Sequence, residues 1–335
     1  MSRPAENEIV QLLRQRFGGR AASLEKGIGD DAAVIRPARA GEFWLLTTDL
    51  LLEGVHFRRE WLTPRQLGQK ALAVNLSDIA AMGGKPRLYL VALGVPRGLR
   101  ERWIVSLYEG MARLGKRYRV MLAGGDLSRS VSGIHISLTV LGQSIKGKIV
   151  YRSGGEPGDL LYVTGVLGKS AAGLALLRSG KKPGRSAAER AALKAHLEPE
   201  PRCAAGLWLA EKGYPRAMMD LSDGLSADLP RMCRESRTGA EIWGFRLPLF
   251  PDSSDWSCDP LDLALHGGED YELLFAVPRQ RVAALESSYP PAFPRISRIG
   301  TLTGRRAVEW LPAPGATPRP LPPRGFDHFR ATFPS

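Results

Sequence analysis

Cysteine is scarce in this chain of 335 residues, and its three thiols, Cys203, Cys233 and Cys258, are widely spaced with no C-x-x-C pair. An odd number of isolated cysteines argues against a disulfide framework and a thiolate metal site, and it fits a reducing compartment. The sequence also lacks an apolar run as long as a membrane span, and the opening "MSRPAENEIV" has no apolar core of a signal peptide. We therefore expect a cytoplasmic protein.

Common catalytic and nucleotide-binding signatures are missing as well. The chain contains no G-x-S-x-G, H-E-x-x-H, kinase H-R-D or EF-hand pattern. The stretch "GVLGKS" at 165–170 is similar to the end of a P-loop, but the first glycine of that motif would fall at Val163. We predict that this stretch begins a helix instead.

The charge balance is strongly basic, with a formal net charge of +13. Such a balance is compatible with nucleic-acid binding, and equally with a positive field that attracts small anions. The basic residues are scattered in short groups, and aromatic residues make up only 7% of the chain. Because no basic helix or basic and aromatic patch is present, a basic nucleic-acid-binding protein is the less favoured alternative.

The length and the element pattern predict an α+β protein with two mixed α and β domains. Glycine and proline concentrate in "YRSGGEPGD" at 151–159, and the pattern restarts with the strand-like "LLYVTG". We place the domains at 1–152 and 153–335. The second ends in the proline-rich run "LPAPGATPRPLPPRG", which predicts an extended segment draped over the surface and not a packed element.

Hydrophobic periodicity predicts the elements of both domains. Strands are predicted at 43–51, 87–95, 120–126, 133–143, 160–165, before 218–223, and at 271–278; helices are predicted at 63–84, 100–118, 170–177, 188–197 and 225–236.

The stretch "GIGDDAAVI" at 27–35 has the first glycines of a dinucleotide-binding loop, but Asp30 and Asp31 stand inside it. Two carboxylates would repel a phosphate unless a cation lies between them. The stretch is therefore expected to face a phosphate only through a cation, and Asp31 is left open as a ligand or a helix cap.

Other carboxylates share this placement at a strand end or beside glycines, and they are Asp49, Asp126, Asp220, Asp223, Glu269 and Asp270. Strand ends are where α/β sites are assembled, although a single Asp there is more often a turn former or a helix cap. Several carboxylates without matching His or Cys ligands favour a hard cation, and Mg²⁺ held by carboxylates and substrate phosphates fits best.

Asp78 and His56 are two further candidates. Asp78 lies inside a predicted helix on the same face as Ala71, Val74 and Ala81. A carboxylate on that apolar face is costly unless it meets a cation. His56 follows the Asp49 strand in "EGVHF", and its role is open between binding and structure.

Six stretches together resemble the thiamine-monophosphate kinase family. They occur in order over nearly the whole chain, and they are "GIGDDAAVI", "TTDLLLEGVHF", "NLSDIAAMGGKP", "GGDLSRS", "DLSDGLSADL" and "GGEDYELLFAVP". "EGVHF" together with "GGEDYELLF" is similar to this branch of a superfamily that includes aminoimidazole ribonucleotide synthetase and selenophosphate synthetase. Leu127 and Ser128, where the family usually has Thr-Thr, and Lys169, where it commonly has an acidic residue, depart from the pattern.

The resemblance implies an N-terminal ATP-binding and dimerisation domain of the aminoimidazole ribonucleotide synthetase type, and a C-terminal α/β domain of the same superfamily. It implies a homodimer that transfers the γ-phosphoryl group of ATP to thiamine monophosphate with several Mg²⁺ ions, and no nucleic-acid or membrane partner. Another ATP-using synthetase of the superfamily is the alternative.

The family's functional residues map onto matching positions of this sequence. The implied metal ligands are Asp30, Thr47, Thr48, Asp49, Asp78, Asp126, Asp220 and Asp223, with Asp126, Asp49 and Asp223 implied in catalysis. The implied ATP contacts are Tyr108, Gly125, Asp126, Arg152 and Ser222, and the implied thiamine-phosphate contacts are His56, Glu269 and Phe326.

Overall fold

The structure is a computed structural model that describes residues 6–17, 23–36, 41–145, 147–180, 186–251 and 258–328. Its first half comprises α1 (Glu6–Phe17), β1 (Leu24–Lys26), β2 (Ala33–Ile35), β3 (Glu42–Leu52), α2 (Pro64–Ala81), β4 (Lys85–Val95), α3 (Glu101–Tyr118), β5 (Met121–Arg129) and β6 (His135–Ile145).

The six strands of this half form one sheet in the order β1-β2-β3-β6-β4-β5. β6 pairs antiparallel with β3 and β4, whereas β5 pairs parallel with β4 at the edge. Apolar residues alternate along the central strands, so that Leu45, Val91 and Leu138 are buried on the face that α2 covers. The other face exposes Leu50 and Leu90, and we call it the outer face.

Helix α2 is buried along most of its length and has clear signals at both ends. Thr63 and Gln66 form a capping box before it, Pro64 occupies its first turn, and Gly83 follows it with a φ of +68°. The burial extends to polar residues, including Lys70, Asn75 and Ser77. Such burial requires polar partners, which other elements supply.

The second half contains β7 (Leu160–Thr164), α4 (Lys169–Arg178), α5 (Ala187–Leu197), α6 (Cys203–Lys212), β8 (Ala217–Asp220), α7 (Leu225–Ser236), β9 (Gly239–Trp243), α8 (Pro260–His266), β10 (Leu273–Val277), α9 (Arg279–Ser288), β11 (Ile296–Thr303), β12 (Val308–Leu311) and β13 (Arg319–Pro320). Its sheet has the order β13-β12-β9-β11-β7-β10-β8. The pairs are antiparallel except for β12 with β9, and the sheet is mixed and open.

The two halves share part of their core. Helix α6 packs on α2 at Gly206, where an added Cβ would lie 2.1 Å from the carbonyl oxygen of Ala80. Tyr162 and Phe275 of the second sheet belong to the same apolar cluster as the first sheet and α2. The fold is therefore two mixed α and β domains joined by a continuous core, which confirms the predicted fold class.

Most predicted elements are present, and three details differ. Asp49 and Asp126 lie inside β3 and β5 and not at strand ends, because both strands continue beyond them. Helices α1, α6, α8 and α9 were not predicted. The proline-rich segment is extended as expected, but Arg319 and Pro320 also pair with β12, and Leu321 is buried.

The helices bear on two predictions, that "GVLGKS" begins a helix and that the chain has no membrane span. Helix α4 begins at Lys169, so "GVLGKS" is a helix start as predicted. Among the described residues, every helix is too short or too polar to cross a bilayer.

Candidate active site

Three carboxylates from distant parts of the sequence meet between the two domains. Asp31, Asp78 and Asp220 each offer an oxygen, and these oxygens lie within 4.8 Å of one another. We call these residues the carboxylate cluster. Thr47 Oγ1 donates to Asp78 Oδ2 at 2.5 Å, and Ser77 Oγ donates to Asp220 Oδ2 at 2.6 Å.

Each member of the cluster is positioned by a different element. Asp31 follows a turn in which Gly29 has a φ of +118°, a conformation that favours glycine. Asp78 projects from α2, and Asp220 is the last residue of β8, which packs on α2. Tertiary packing therefore brings together side chains that the sequence separates by up to 189 positions, from Asp31 to Asp220.

The cluster raises the affinity of its own carboxylates for protons. Burial raises the pKa of Asp78 and Asp220 well above the ordinary 3.8, and neighbouring carboxylates raise both further. Burial and Asp31 raise the pKa of Asp30 to about 6, and burial and Asp223 raise that of Asp49 to about 6. An oxygen-only donor set that repels itself suits a hard divalent cation such as Mg²⁺.

Asp30 and Asp31 differ in their contacts, and those of Asp31 bear on the alternatives of ligand and helix cap. Arg152 forms a fork on Asp31, with Nε 3.0 Å from Oδ2 and Nη2 2.7 Å from Oδ1. The amide of Arg152 donates to Asp30 Oδ1 at 3.1 Å, and Lys26 Nζ lies 3.2 Å from Asp30 Oδ2. Strand β2 follows, so Asp31 caps no helix: it lies in the cluster, and Asp30 lies beside it.

Asp49 and Asp223 border the cluster. The amide of Asp49 donates to Asn75 Oδ1 at 3.2 Å, while Asp223 pairs with Arg231 at 2.6 Å. Asp228 accepts the amide N–H of Asp223 at 3.0 Å and also pairs with Arg231. The loop before α7, which contains Ser222, is thus held by a buried Asp–Arg network.

A second polar group is centred on Glu269. Lys70 Nζ lies 2.9 Å from its Oε1, and His196 Nδ1 lies 3.1 Å from its Oε2. Burial and then Lys70 lower the pKa of His196 to about 4, so the ring is neutral at pH 7. The same Nδ1 lies 3.1 Å from Ser170 Oγ, so it faces both that hydroxyl and the Glu269 carboxylate.

His56 and Phe326 lie beside this group. His56 Nδ1 accepts the amide N–H of Leu52 at 2.9 Å, which leaves the proton of the neutral ring on Nε2. Burial, followed by His328, lowers the pKa of His56 to about 4. His328 contacts both His56 and Phe326 at ring-centroid distances of 4.9 and 4.7 Å. The amide of Phe326 donates to the Asp223 carbonyl at 3.1 Å, so the tail is docked here.

Four predicted residues lie elsewhere in the chain. Thr48 is exposed on the outer face. Tyr108 lies on α3 close to Tyr89, whose pKa is raised by burial and then by Tyr108. Gly125 and Asp126 lie on the edge strand β5. Gly125 lies in the same row across the sheet as Asp49, with Val91 of β4 and Leu138 of β6 between them. Three strand spacings separate β5 from β3, which is about 14 Å.

The sequence reasoning did not identify Lys70, His196, Asp228 and Arg231. Lys70 had a usable signal, because it interrupts the apolar face of α2 just as Asp78 does. His196 and Arg231 had none, since a single His or Arg on an amphipathic helix is ordinary. His196 lies on α5 and meets Glu269 from a distant loop, whereas Arg231 pairs with Asp228 of its own helix and with Asp223 just before it.

Comparisons with known proteins give the family of the chain. The model of the AIR synthase related protein N-terminal domain matches residues 29–144, and that of the C-terminal domain matches residues 156–310. Thiamine-monophosphate kinase of Bacillus subtilis is 36% identical over 92% of this chain and 95% of its own length. The Escherichia coli K12 enzyme is 37% identical over 97% of this chain and 98% of its own.

A solved structure agrees over almost the same span. AaThiL complexed with AMPPCP and TMP superposes with a TM-score of 0.84 at 33% identity, and the match covers 97% of each chain. Similarity at this level extends over both domains. The chain therefore belongs to the thiamine-monophosphate kinase family of phosphotransferases.

Proposed function

We propose that this protein transfers the γ-phosphoryl group of ATP to thiamine monophosphate, with ADP and thiamine diphosphate as products. The observation that carries the proposal is the pairing of two sites: the carboxylate cluster, and the group of His56, Glu269 and Phe326 beside it. The carboxylate cluster suits metal-bound phosphates. The second site offers the Nε2–H donor of His56, the carboxylate acceptor of Glu269 and the aromatic ring of Phe326. The relative complexed with AMPPCP and TMP supports both substrates.

The acceptor chemistry explains the composition of the site. A phosphate monoester has a second pKa of about 6, so it is largely dianionic at pH 7 and needs no general base. The obstacle is repulsion: two unit charges 4 Å apart interact by about 4 kcal/mol at an effective dielectric near 20. When bound, Mg²⁺ would neutralise phosphate charge and help to align an in-line transfer.

The chain's own residues hold and orient these groups. Asp31, Asp78 and Asp220 are our proposed core of the metal site, with Asp30, Asp49 and Asp223 around them. Arg152 uses two of its five N–H donors on Asp31 and keeps others for an ATP phosphate. The backbone of Ser222 accepts the amide of Glu269 and links the two sites.

A homodimer would complete the ATP site. β5 is an edge strand with all nine residues exposed, including Met121, Leu122 and Leu127. An exposed apolar edge is a template for pairing with a second chain. Asp126 lies on this edge, about 14 Å from β3, so we propose that Tyr108, Gly125 and Asp126 of one subunit face the carboxylate cluster of the other.

The reaction is tested by ADP release with and without thiamine monophosphate over a range of Mg²⁺ concentrations. We expect ADP and thiamine diphosphate in equal amounts, and no stimulation by thiamine, which has no phosphate to accept the transfer. ADP release stimulated instead by a formylglycinamidine ribonucleotide would favour a synthetase. Strong salt-sensitive binding to DNA or RNA without kinase activity would favour the nucleic-acid alternative.

The shared site is tested by complementation between Asp126→Asn and Asp220→Asn. Each variant alone should be folded and inactive. Two-tag co-expression isolates the mixed dimer, which keeps one intact site of two and should show about half of wild-type activity under C2 symmetry. An inactive mixed dimer would show that both aspartates act within one chain.

Two further expectations from the sequence remain predictions. The domain boundary at 152/153 lies between the end of the first sheet at Ile145 and the start of the second at Leu160. The cytoplasmic location is also a prediction, which fractionation of the source cells would test.

A further inference from the structure

Lys70 is a buried ammonium group with no place in the predicted site. It projects from α2, and its side chain is 2% exposed, whereas that of its partner Glu269 is 25% exposed. His196, on the opposite side of the carboxylate, is 4% exposed. A ligand can therefore reach Glu269 but not the two groups that hold it.

The backbone around Glu269 adds to this arrangement. Glu269 and Tyr271 have φ values of +63° and +50°, a region that L-residues rarely adopt. The amide of Glu269 donates to the Ser222 carbonyl at 2.7 Å, and that of Tyr271 to the Leu221 carbonyl at 2.9 Å. The carboxylate is thus aimed by a strained loop and then clamped at both oxygens.

Helix α2 places the two sites at a defined separation. Lys70 and Asp78 are eight residues apart on one helix, which corresponds to about 12 Å along its axis. One end of α2 supports the carboxylate cluster and the other supports Glu269. A ligand that carries a phosphate at one end and an aromatic amine at the other would contact both.

We propose that Lys70 and His196 are positioning residues that hold the Glu269 carboxylate to accept a hydrogen bond from the amino group of the substrate's pyrimidine ring. This inference rests on the proposed function. Thiamine monophosphate carries a thiazolium cation, so an exposed lysine here would repel it. Buried behind Glu269, Lys70 forms a neutral pair and leaves the acceptor in front.

The ionisation of Glu269 agrees with this role. Burial raises the pKa of Glu269, but Lys70 comes first among the groups that lower it, and the net shift is downward. An ionised carboxylate accepts hydrogen bonds at both oxygens, and charge-assisted bonds are about twice as strong as neutral ones.

The test compares steady-state kinetics of Lys70→Met and the wild-type enzyme with two acceptors, thiamine monophosphate and oxythiamine monophosphate. The second compound lacks the pyrimidine amino group. We expect Lys70→Met to raise KM for thiamine monophosphate by about tenfold or more, as for loss of a charged hydrogen bond, with KM for ATP unchanged. Its preference for the amino compound in kcat/KM should also fall.

Matched variants separate positioning from stability. Lys85→Met makes the same change at an exposed ion pair with Glu211 and should leave both KM values unchanged. His196→Asn keeps a donor near the position of Nδ1, whereas His196→Leu has a similar shape without one. We expect Asn to retain most of the acceptor preference and Leu to lose it.

A double variant covers the case in which Lys70→Met folds poorly, because it leaves a buried carboxylate unpaired. Lys70→Met with Glu269→Gln removes both charges and should match Glu269→Gln alone in KM for thiamine monophosphate. A double variant that is clearly worse than Glu269→Gln would overturn the proposal, since Lys70 would then act independently.

The proposal also fails if Lys70→Met keeps wild-type KM and acceptor preference while Glu269→Gln loses them. Equal increases in KM for ATP and thiamine monophosphate would likewise show a general structural role. Failure of the proposed function has a different signature, because the wild-type enzyme itself would then show no ADP release stimulated by thiamine monophosphate.

Discussion

At the residue scale, Asp78 shows how a helix can carry a charge that its surroundings oppose. Its carboxylate accepts a hydrogen bond from Thr47 and lies beside Asp31 and Asp220. Within the described part of the chain, no lysine or arginine nitrogen lies within 4.0 Å of it. A buried charge without a partner opposes folding until a cation binds.

We predict that Asp78→Asn stabilises the metal-free protein and sharply lowers its activity. The folded pKa of Asp78 is raised well above 3.8, so the native state keeps a proton that the unfolded chain releases. This penalty is absent below the unfolded pKa and grows as pH rises toward the folded pKa. In EDTA, the variant should therefore match the wild type in Tm near pH 4 and exceed it at pH 8.

Addition of Mg²⁺ at pH 8 should raise the Tm of the wild type above that of the variant, because a ligand stabilises the state that binds it. Activity should fall by about 100-fold, the order found when one charge-stabilising group is lost. Differential scanning fluorimetry in EDTA and in Mg²⁺ measures the two Tm comparisons. A variant that is less stable than wild type in EDTA at pH 8 would identify Asp78 as a structural residue.

At the element scale, the close packing of α6 on α2 holds the cluster together. Gly206 of α6 sits against the backbone of Ala80, two residues from Asp78. The added Cβ of an alanine would lie 2.1 Å from the Ala80 carbonyl oxygen. Both sides of this contact are backbone, so neither can move without displacing a helix.

We predict that Gly206→Ala destabilises the protein, although alanine favours helix formation by about 1 kcal/mol over glycine. Overpacking of this kind costs about 1–3 kcal/mol, and 1 kcal/mol lowers Tm by roughly 2–4 °C in a domain of 150–250 residues. Because α2 shifts, the Mg²⁺ concentration for half-maximal activity should rise. Ala204→Leu, on the exposed face of α6, is the control and should leave Tm within about 2 °C. An increase in Tm for Gly206→Ala would show that helix propensity outweighs the contact.

At the scale of the whole molecule, the first sheet leaves one face and one edge uncovered by the described chain. Leu50 and Leu90 are 51% and 46% exposed on the outer face, and β5 lies beside them at the edge. Apolar surface of this kind on a sheet is a common docking surface for a second chain.

We predict that Leu90→Asp converts a dimer into a monomer and removes activity with little change in circular dichroism. A charge placed on a buried interface is strongly unfavourable, whereas it is harmless on a free surface. Phe245→Asp, at an exposed aromatic residue of the second half, is the control. Light scattering gives the molecular mass, and a Leu90→Asp variant that stays dimeric and active would exclude the outer face from the interface.

The sequence supports prediction where the signal is local. The alternation along β3 and the capping box and apolar face of α2 give these elements to within a few residues of their observed bounds. The ends of β3 and β5 are less well predicted, because strand pairing extends them past Asp49 and Asp126. Helix α6 was not predicted, since its glycine and small residues become favourable only against α2.

The residues of the candidate site were also only partly predictable from the sequence. The positions of Asp78, Asp220 and Glu269 on an apolar helix face, at a strand end and beside glycines made them candidates, and the family resemblance gave each a role. Asp31 could not be separated from Asp30, since both follow the same turn and their different contacts arise only in the folded chain. Thr47 and Thr48 could not be separated either, until β3 placed them on opposite faces.

The sequence by itself determined the family of this protein through its ordered motifs, and its oxygen ligands without His or Cys partners predicted a hard cation. The tertiary structure alone decided which side chains meet. Charges interact over a few ångströms in space, whatever their separation along the chain, so the packing of α2 against β3, β8 and α6 sets the cluster and its raised pKa values. The same packing buries Lys70 behind Glu269, a pairing between positions 199 residues apart.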